Sequence, residues 1–378
     1  MRERDARMAL CCTVEPATID ITRQVQQQGA EAIWQGLVQP SSRSRWARRA
    51  QAFDLADMQA ATDRLRLRFI VPGDDEWPAA LGDLSGCEPV NDMGGAPFGL
   101  WVRGAVPLAE AVERSVAVVG SRACTAYGQS VTTDLAAGLG AHGVTVVSGG
   151  AYGIDAAAHA GALAAEAVTV AVMAGGLDRP YPSGNSGLLQ RVAAAGVLAS
   201  ELPPFEKPTR VRFLGRNRLI AALTPATVLV EAALRSGARN TVSWATSCNR
   251  VVLAVPGPVH SATSATPHRL IREAEAVLCS GVDDVLEVIE PLGRSQASRP
   301  SQQRPLDDLS TEELAVFEAL PARRPMPTGE VSVRAGVPLG ACLGVLDQLG
   351  ERGLVALHAD GWRLARAPSA RSVPRTGD

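Results

Sequence analysis

The chain has 378 residues, more than one ordinary domain, so two or three folding units are expected. Its 46% hydrophobic and 20% charged residues exclude a disordered protein, and its formal net charge of −2 excludes a protein that coats polyanions over its whole surface. The seven cysteines include no C-x-x-C pair, so neither a zinc ribbon nor a disulfide framework is indicated.

The first part of the chain is predicted to be a small helical domain, residues 1–67. The N-terminus, MRERDARMALCC, lacks the apolar core and cleavage site of a signal peptide, and no uncharged apolar run reaches 18 residues. We therefore expect a cytoplasmic protein that does not contact a membrane. The helix-compatible stretches are Thr18–Gln28, Ala30–Leu37 and Ser44–Arg64.

Residues 68–290 alternate short apolar runs with helical stretches. Uninterrupted runs such as VAVV and VVLAV are typical of strands buried on both faces, and helices between them imply parallel crossovers. We predict an α/β fold with a doubly wound, extended Rossmann-like sheet. The predicted strands are Ser115–Val119, Thr145–Ser148, Thr169–Met173, Gly196–Ser200, Thr227–Val230 and Val251–Val255. The predicted helices are Ser130–His142, Asp155–Glu166, Ser186–Ala194, Arg218–Leu223 and Thr241–Asn249.

The last part of the chain contains a linker and a small domain. Residues 291–305, PLGRSQASRPSQQRP, are polar and rich in Ser, Gln and Pro, which predicts a flexible linker. Residues 306–366 show three helical patterns and a hairpin with Asp360-Gly361 at its turn, an order that suggests a winged helix; we expect disorder over 367–378. The nine acids and six arginines of 306–366 favour a protein contact over duplex reading, which needs cations on the recognition helix.

Two glycine-rich loops follow the first two parallel strands. Ligands of doubly wound sheets bind beyond the carboxyl ends of the strands, so these loops are where function is expected. The first is Gly120-Ser121-Arg122 and the second is SGGAYGID at 148–155. Each alone is more simply a tight turn, but the two together favour phosphate binding by backbone N–H groups. Neither matches the dinucleotide or P-loop signature, so we predict no nucleotide cofactor.

The segment KPTRVRFLGRNR, residues 207–218, carries five basic residues and no acid. Cations that follow phosphates, together with an aromatic face that stacks on a base, are typical of a groove for single-stranded nucleic acid. The alternative is a solvated cationic loop whose aromatic packs into the core. The residues in question are Lys207, Arg210, Arg212, Phe213, Arg216, Asn217 and Arg218.

Catalytic and metal-binding patterns are weak. The five histidines form no His-x-His or H-E-x-x-H arrangement. Asp155 and His159 stand four residues apart on a predicted helix, but no third ligand accompanies them, and a helix cap beside a core histidine is the simpler interpretation. We predict no catalytic residue and no bound metal.

These motifs resemble the DprA/Smf family, the DNA-processing proteins of bacterial transformation. The resemblance spans about residues 68–290 and rests on GSR at 120–122, SGGAYGID at 148–155, RNR at 216–218, SGARNT at 236–241 and AVPG at 254–257, in that order. One departure is Tyr152, where many members carry arginine.

The resemblance implies an extended Rossmann fold that binds single-stranded DNA, forms a homodimer and loads RecA, without catalysis. It implies that Arg122 contacts a phosphate together with the Gly120 and Ser121 amides. It also implies that Arg210 is a cationic contact, that Phe213 stacks on a base, and that RNR lines the pocket beside Tyr181 and Asn185.

Two other interpretations remain. A phosphoribohydrolase-like nucleotide-processing enzyme would share the sheet, but its PGG-x-GT-x-x-E signature is missing from the sequence. A winged-helix transcription factor with a sensory α/β domain is disfavoured by the acidic recognition helix.

Overall fold

The computed structural model describes residues 1–234, 236–290 and 309–365. The chain divides into two compact units, Met1–Ala297 and Ser298–Asp378. The predicted linker 291–305 and the predicted tail 367–378 lie outside the described residues.

The first unit is built on a nine-stranded sheet whose order is β1-β2-β6-β5-β4-β3-β7-β8-β9. The strands from β3 onward are parallel, whereas β2 runs antiparallel to both β1 and β6. The strands are β1 (Arg68–Ile70), β2 (Leu100–Gly104), β3 (Ser115–Val119), β4 (Thr145–Ser148), β5 (Thr169–Met173), β6 (Val197–Ser200), β7 (Ala226–Leu229), β8 (Val251–Ala254) and β9 (Val277–Leu278). This confirms the predicted doubly wound α/β fold.

Thirteen helices are described in the first unit. They are α1 (Glu3–Thr13), α2 (Ile19–Gln28), α3 (Ala30–Val38), α4 (Ala47–Gln51), α5 (Leu55–Arg64), α6 (Leu108–Val112), α7 (Ala126–Ala141), α8 (Ile154–Ala164), α9 (Ser186–Ala195), α10 (Arg210–Ala222), α11 (Ala238–Ser247), α12 (Ala265–Arg272) and α13 (Val282–Ile289). Short 3-10 turns occur at Ala79–Ser85, Ser183–Asn185 and Ala262–Ser264.

Helix α10 differs most from its prediction, which placed a helix only at 218–223 and assigned no secondary structure to the basic stretch before it. The helix begins after Thr209, whose Oγ1 accepts a hydrogen bond from the Arg212 N–H at 3.3 Å. A threonine cap satisfies one of the free N–H groups of the first turn, which is why the helix starts there. The four arginines of the basic stretch therefore lie on a helix, and nine of its 13 residues are buried.

The N-terminal helices also differ from their prediction. The predicted helix Ser44–Arg64 is interrupted before Asp54, whose carboxylate caps α5 by accepting from the N–H groups of Ala56 and Asp57. Helix α1 was not predicted. Its buried residues share one core with Trp101 of β2 and Met173 of β5, so in the structure residues 1–67 pack directly on the sheet.

The second unit contains three helices and a hairpin: α14 (Thr311–Ala319), α15 (Thr328–Ala335), α16 (Leu339–Glu351), β10 (Val355–His358) and β11 (Gly361–Leu364). Helix α14 begins with a reciprocal capping box between Ser310 and Glu313. The winged-helix assignment stays a prediction. In the described part of the chain no single helix is long and apolar enough to cross a membrane. Helices α15 and α16 together reach the length and apolar composition of a membrane span, but they are bent by 104° relative to each other.

Candidate nucleic-acid interface

The predicted site residues lie at the carboxyl edge of the sheet. Strands β4, β5 and β6 follow one another on one side of β3, and β7 lies on its other side. The winding of the sheet therefore reverses at β3, where doubly wound proteins open a crevice for ligands. The loops after β3 to β6 and the first turn of α10 meet at this edge.

Phe213 is the centre of the site. The guanidinium carbon of Arg122 lies 4.5 Å from the centroid of its ring, and that of Arg216 lies 5.9 Å away. The ring of Tyr181 is 5.9 Å from it, centroid to centroid, at an interplanar angle of 53°. Both distances to guanidinium carbons fall within the range of cation–π attraction. The structure thus brings together the cation, the aromatic and the tyrosine that the sequence predicted as neighbours.

Side chains and backbone groups tie the loops of this edge to one another. Asn185 donates from Nδ2 to the carbonyl oxygens of Gly150 and Ala151, at 3.0 and 3.1 Å, which joins the loops after β5 and β4. The Gly176 N–H donates to the Glu206 carbonyl at 2.8 Å, which joins the loops after β5 and β6. Asn185 therefore acts as a brace between loops.

The first glycine loop uses its backbone amides internally. The Ser121 N–H donates to the Glu231 carbonyl at 2.7 Å, so this amide does not face a ligand. A Cβ at Gly120 would lie 2.6 Å from Ile154, so glycine is required here for close packing against α8. The predicted amide cradle of Gly120 and Ser121 is therefore a packed turn, and Arg122 is the exposed group that it presents.

The second glycine loop is organised by Asp155. The buried Asp155 carboxylate accepts from the N–H groups of Gly149 and Ala151, at 3.1 and 3.4 Å. Burial raises the pKa of Asp155 above its ordinary value, while the charge of Arg216 and these two N–H donors act in the opposite direction. The Gly149 and Ala151 amides therefore already have an acceptor within the protein. The sequence predicted Asp155 only as a helix cap, which is wrong: α8 begins at Ile154 after Gly153, and the carboxylate binds the preceding loop instead.

The RNR element faces inward. Arg216 is buried and donates from Nη1 to the carbonyl oxygens of Gly149, at 2.8 Å, and of Val172. Burial lowers its pKa to about 10, with Asp155 as the opposing charge. The Asn217 side chain accepts from Arg216 Nε at 3.2 Å and donates to Asn240 Oδ1 at 3.1 Å. Arg216 therefore holds the second glycine loop and lies beside Phe213, and Asn217 orients Arg216.

Arg218 and Arg212 lie in ion pairs away from the exposed rim. Arg218 is fully buried and makes two bonds with the Glu201 carboxylate, at 2.7 and 2.8 Å. Arg212 binds Glu15 at 2.9 and 3.0 Å and also Glu206, so it anchors the N-terminal helices to α10. The sequence predicted that both arginines line the groove. The structure instead pairs each guanidinium with a carboxylate.

The remaining cations are exposed. Lys207 and Arg210 are solvent-exposed at the start of α10, and Arg122 is exposed above Phe213. Arg179, which the sequence analysis did not select, has 92% of its side chain exposed. It lines a narrow notch together with Tyr181 and Phe213. Arg122 and Arg179 are therefore the exposed cations that border the aromatic centre.

Among the described residues no group of three or more His, Cys, Asp and Glu side chains is placed to hold a metal ion. His159 is fully buried on α8, and its Nδ1 donates at 2.8 Å to Thr169 Oγ1, since that hydroxyl itself donates to the Val146 carbonyl. Burial lowers the pKa of His159 to about 3, so it is a neutral core residue.

Comparisons with known sequences identify relatives of this chain. Residues 68–290 match the family described as DNA recombination-mediator protein A. A putative DNA processing protein DprA of Mycobacterium tuberculosis is 46% identical over 327 residues, which cover 84% of either chain. DNA processing protein DprA of Streptococcus pneumoniae is 36% identical over 206 residues, 54% of this chain and 72% of its own.

Solved structures share the fold. The X-ray structure of DNA processing protein A from Streptococcus pneumoniae has a TM-score of 0.64 and 29% identity, covering 77% of this chain and 99% of that one. DNA processing protein A from Helicobacter pylori, described by its single-stranded DNA binding mode, has a TM-score of 0.50 and 24% identity, covering 59% and 96%.

A doubly wound sheet that presents an aromatic residue and several arginines at its carboxyl edge defines a Rossmann-like protein with a candidate ligand site on that edge. The sequence matches specify it further: the chain belongs to the DNA recombination-mediator protein A family, since the matched residues are more than half of its 378. The resemblance to the DprA/Smf family is thereby confirmed.

Proposed function

We propose that the protein binds single-stranded DNA along the carboxyl edge of its sheet and performs no catalysis. The observation that carries the proposal is the half-buried Phe213 ring, which lies under the exposed Arg122 and beside Tyr181. An aromatic ring and a cation in contact at the surface offer a base and a phosphate their preferred partners at the same point.

The chemistry favours an unpaired strand over a duplex. The flat face of a base is accessible only when the base is unstacked, and an aromatic ring stacks on any base face. Lys207, just before α10, and Arg210, its first residue, are both exposed, and they would neutralise neighbouring phosphates. Binding of this type is strong, sensitive to salt and tolerant of sequence.

The predicted site residues then divide into two groups. Arg122, Tyr181, Lys207, Arg210 and Phe213 would contact the strand. The other group would hold those residues in place through the bonds described above: Gly120, Ser121, Asn185, Arg212, Arg216, Asn217 and Arg218.

Membership in a recombination-mediator family supports two further parts of the proposal. The protein would protect incoming single strands in the cytoplasm and load RecA onto them, and it would act as a homodimer. Its role would be to deliver a strand, and no bond in the DNA would be made or broken.

Fluorescence anisotropy with matched single- and double-stranded oligonucleotides, across a salt series, tests the proposal. Phe213→Ala should weaken single-strand binding by about 1–3 kcal/mol with little change in salt slope, because a stacking partner is lost and no charge changes. Phe213→Leu is the matched control: it keeps the side-chain bulk against Tyr181 but removes the aromatic face, so it should resemble Phe213→Ala.

Two results would overturn the proposal. One is a Phe213→Ala protein that binds single strands as tightly as the wild type. The other is efficient hydrolysis of a small nucleotide by the purified wild type, which would support the phosphoribohydrolase-like alternative.

A further inference from the structure

Exposed aromatic side chains recur in the loops at the carboxyl edge. The chain has only three tyrosines, and they follow β3, β4 and β5 respectively. Tyr152 and Tyr181 are each 48% exposed, and Phe205, which follows β6, is 56% exposed. Tyr127 is directed elsewhere, because its hydroxyl donates to the Pro256 carbonyl beyond β8 at 2.6 Å. Large exposed aromatics are thus concentrated at the loops after three neighbouring strands.

The sheet order arranges these three loops in a row. Strands β4, β5 and β6 are hydrogen-bonded neighbours, and neighbouring strands lie about 4.8 Å apart. Tyr152, Tyr181 and Phe205 therefore follow one another along the edge, with Phe213 beside Tyr181. A Cβ at Gly184 would lie 2.6 Å from the Tyr152 hydroxyl, so the loop after β5 is in direct contact with Tyr152.

Phe205 adopts a backbone conformation that a bulky residue rarely has. Its φ is +72°, in the left-handed region where glycine is the usual residue. Its N–H donates to Asp178 Oδ1 at 2.7 Å, and a Cβ at Gly176 would lie 2.9 Å from that nitrogen, so the turn is held on both sides. A strained, solvent-exposed phenylalanine points to a function, since neither the backbone nor the core requires its ring.

The charges around the row identify its ligand. Arg179, Lys207 and Arg210 are exposed beside Phe205 and Tyr181 in the sequence of these loops. The two nearby acids have partners: Asp178 accepts from the Phe205 N–H and lies 3.9 Å from Arg179 Nε, and Glu206 is paired with Arg212. The Arg179 side chain nevertheless remains 92% exposed. A surface that combines aromatic faces with exposed cations matches a polyanion that carries planar rings.

We propose that Tyr152 and Phe205 are further base-stacking residues, which extend the platform of Phe213 and Tyr181 so that successive bases of one strand pack along the sheet edge. This inference rests on the proposed single-strand binding and specifies the path of the strand. The DNA passes across the carboxyl ends of β4, β5 and β6, at right angles to these β-strands. Its phosphates face Arg179, Lys207 and Arg210.

Phe205→Gly tests the inference with little risk to folding, because glycine is favoured at this φ and the Asp178 bond uses only the backbone. Binding of a 20-residue oligo(dT) by the full chain is compared for the wild type, Phe205→Gly and Phe205→Leu. We expect both variants to raise the Kd by roughly five- to 150-fold with an unchanged salt slope. Tyr152→Ala should behave in the same way, whereas Tyr152→Phe should bind like the wild type.

An oligonucleotide of the same length with abasic residues throughout serves as the second arm. Its phosphates remain but its rings are removed, so the wild type and Phe205→Gly should bind it equally. If Phe205→Gly binds oligo(dT) as tightly as the wild type, or loses the same factor on the abasic strand, the inference is overturned. If the wild type binds neither strand, the proposed function itself fails, a result distinct from both.

Discussion

Basic residues at the two ends of the segment 207–218 have different roles. Lys207 and Arg210 are exposed at the rim, whereas Arg218, eight residues further on, is completely buried against Glu201. The rim cations are available to a polyanion, and the interior arginine is neutralised before any ligand arrives. Counting positive charges along the segment therefore overstates the groove, because part of that charge builds the fold.

Removing the interior arginine is expected to have the largest effect. Arg218→Met should lower the free energy of unfolding by about 3–5 kcal/mol, because it leaves the buried Glu201 carboxylate without its partner. Urea unfolding of the full chain measures the change. At temperatures where the variant is folded, the salt slope of single-strand binding should equal that of the wild type.

The double variant Arg218→Met with Glu201→Leu is the matched control. It removes both charges and should recover most of the lost stability, since replacing both members of a buried ion pair by apolar groups is often neutral. If Arg218→Met alone is as stable as the wild type but its single-strand binding depends less on salt, Arg218 contacts the DNA instead.

The second-largest expected effect is the pH dependence of stability, which the buried interior residue His159 contributes. His159 has an ordinary pKa of 6.5 and a folded pKa of about 3, so the unfolded chain binds more protons between these values. Stability contributed by the neutral histidine is complete above pH 6.5 and falls as the pH decreases toward 3. The free energy of unfolding should be about 2 kcal/mol lower at pH 5 than at pH 7, since each pH unit below 6.5 corresponds to about 1.36 kcal/mol.

His159→Asn should remove most of that pH dependence, which unfolding at pH 7 and pH 5 would measure as a smaller difference between the two. Asp155 acts in the opposite direction because its pKa is raised by burial, so the comparison between variant and wild type is more informative than either slope alone. Equal pH dependence in both proteins would mean that, between pH 7 and pH 5, His159 takes up a proton in the folded state as it does in the unfolded chain.

Much of the fold was predictable for a clear reason. The central strands are uninterrupted apolar runs between turn residues, and β3, β4 and β5 were predicted with the bounds that the structure has. Strands β1 and β9 have only three and two residues, too few to form a pattern. The prediction placed a helix only at 218–223 and gave no secondary structure to the cationic residues before it, so most of helix α10 was missed.

The candidate site was located by its loops but not resolved residue by residue. Glu15 lies 197 positions from the Arg212 that it neutralises, so no local pattern could show which arginine is paired. A helical assignment would have helped, since Arg212 and Arg216 stand four residues apart and share a face. Phe205 had no signal at all, because its significance lies in its backbone conformation and exposure.

The smallest expected effect compares one arginine from each group directly. Arg122→Gln should decrease the salt slope of single-strand binding by about 0.7, the value for one lost phosphate contact, and leave stability nearly unchanged because its side chain is exposed. Arg212→Gln removes the same charge but breaks the pairs with Glu15 and Glu206, so it should lower stability and keep the slope. Anisotropy titrations from low to high salt, with urea unfolding of each variant, give both quantities. If the two variants lose equal slope, the division of this surface into binding and structural arginines is wrong.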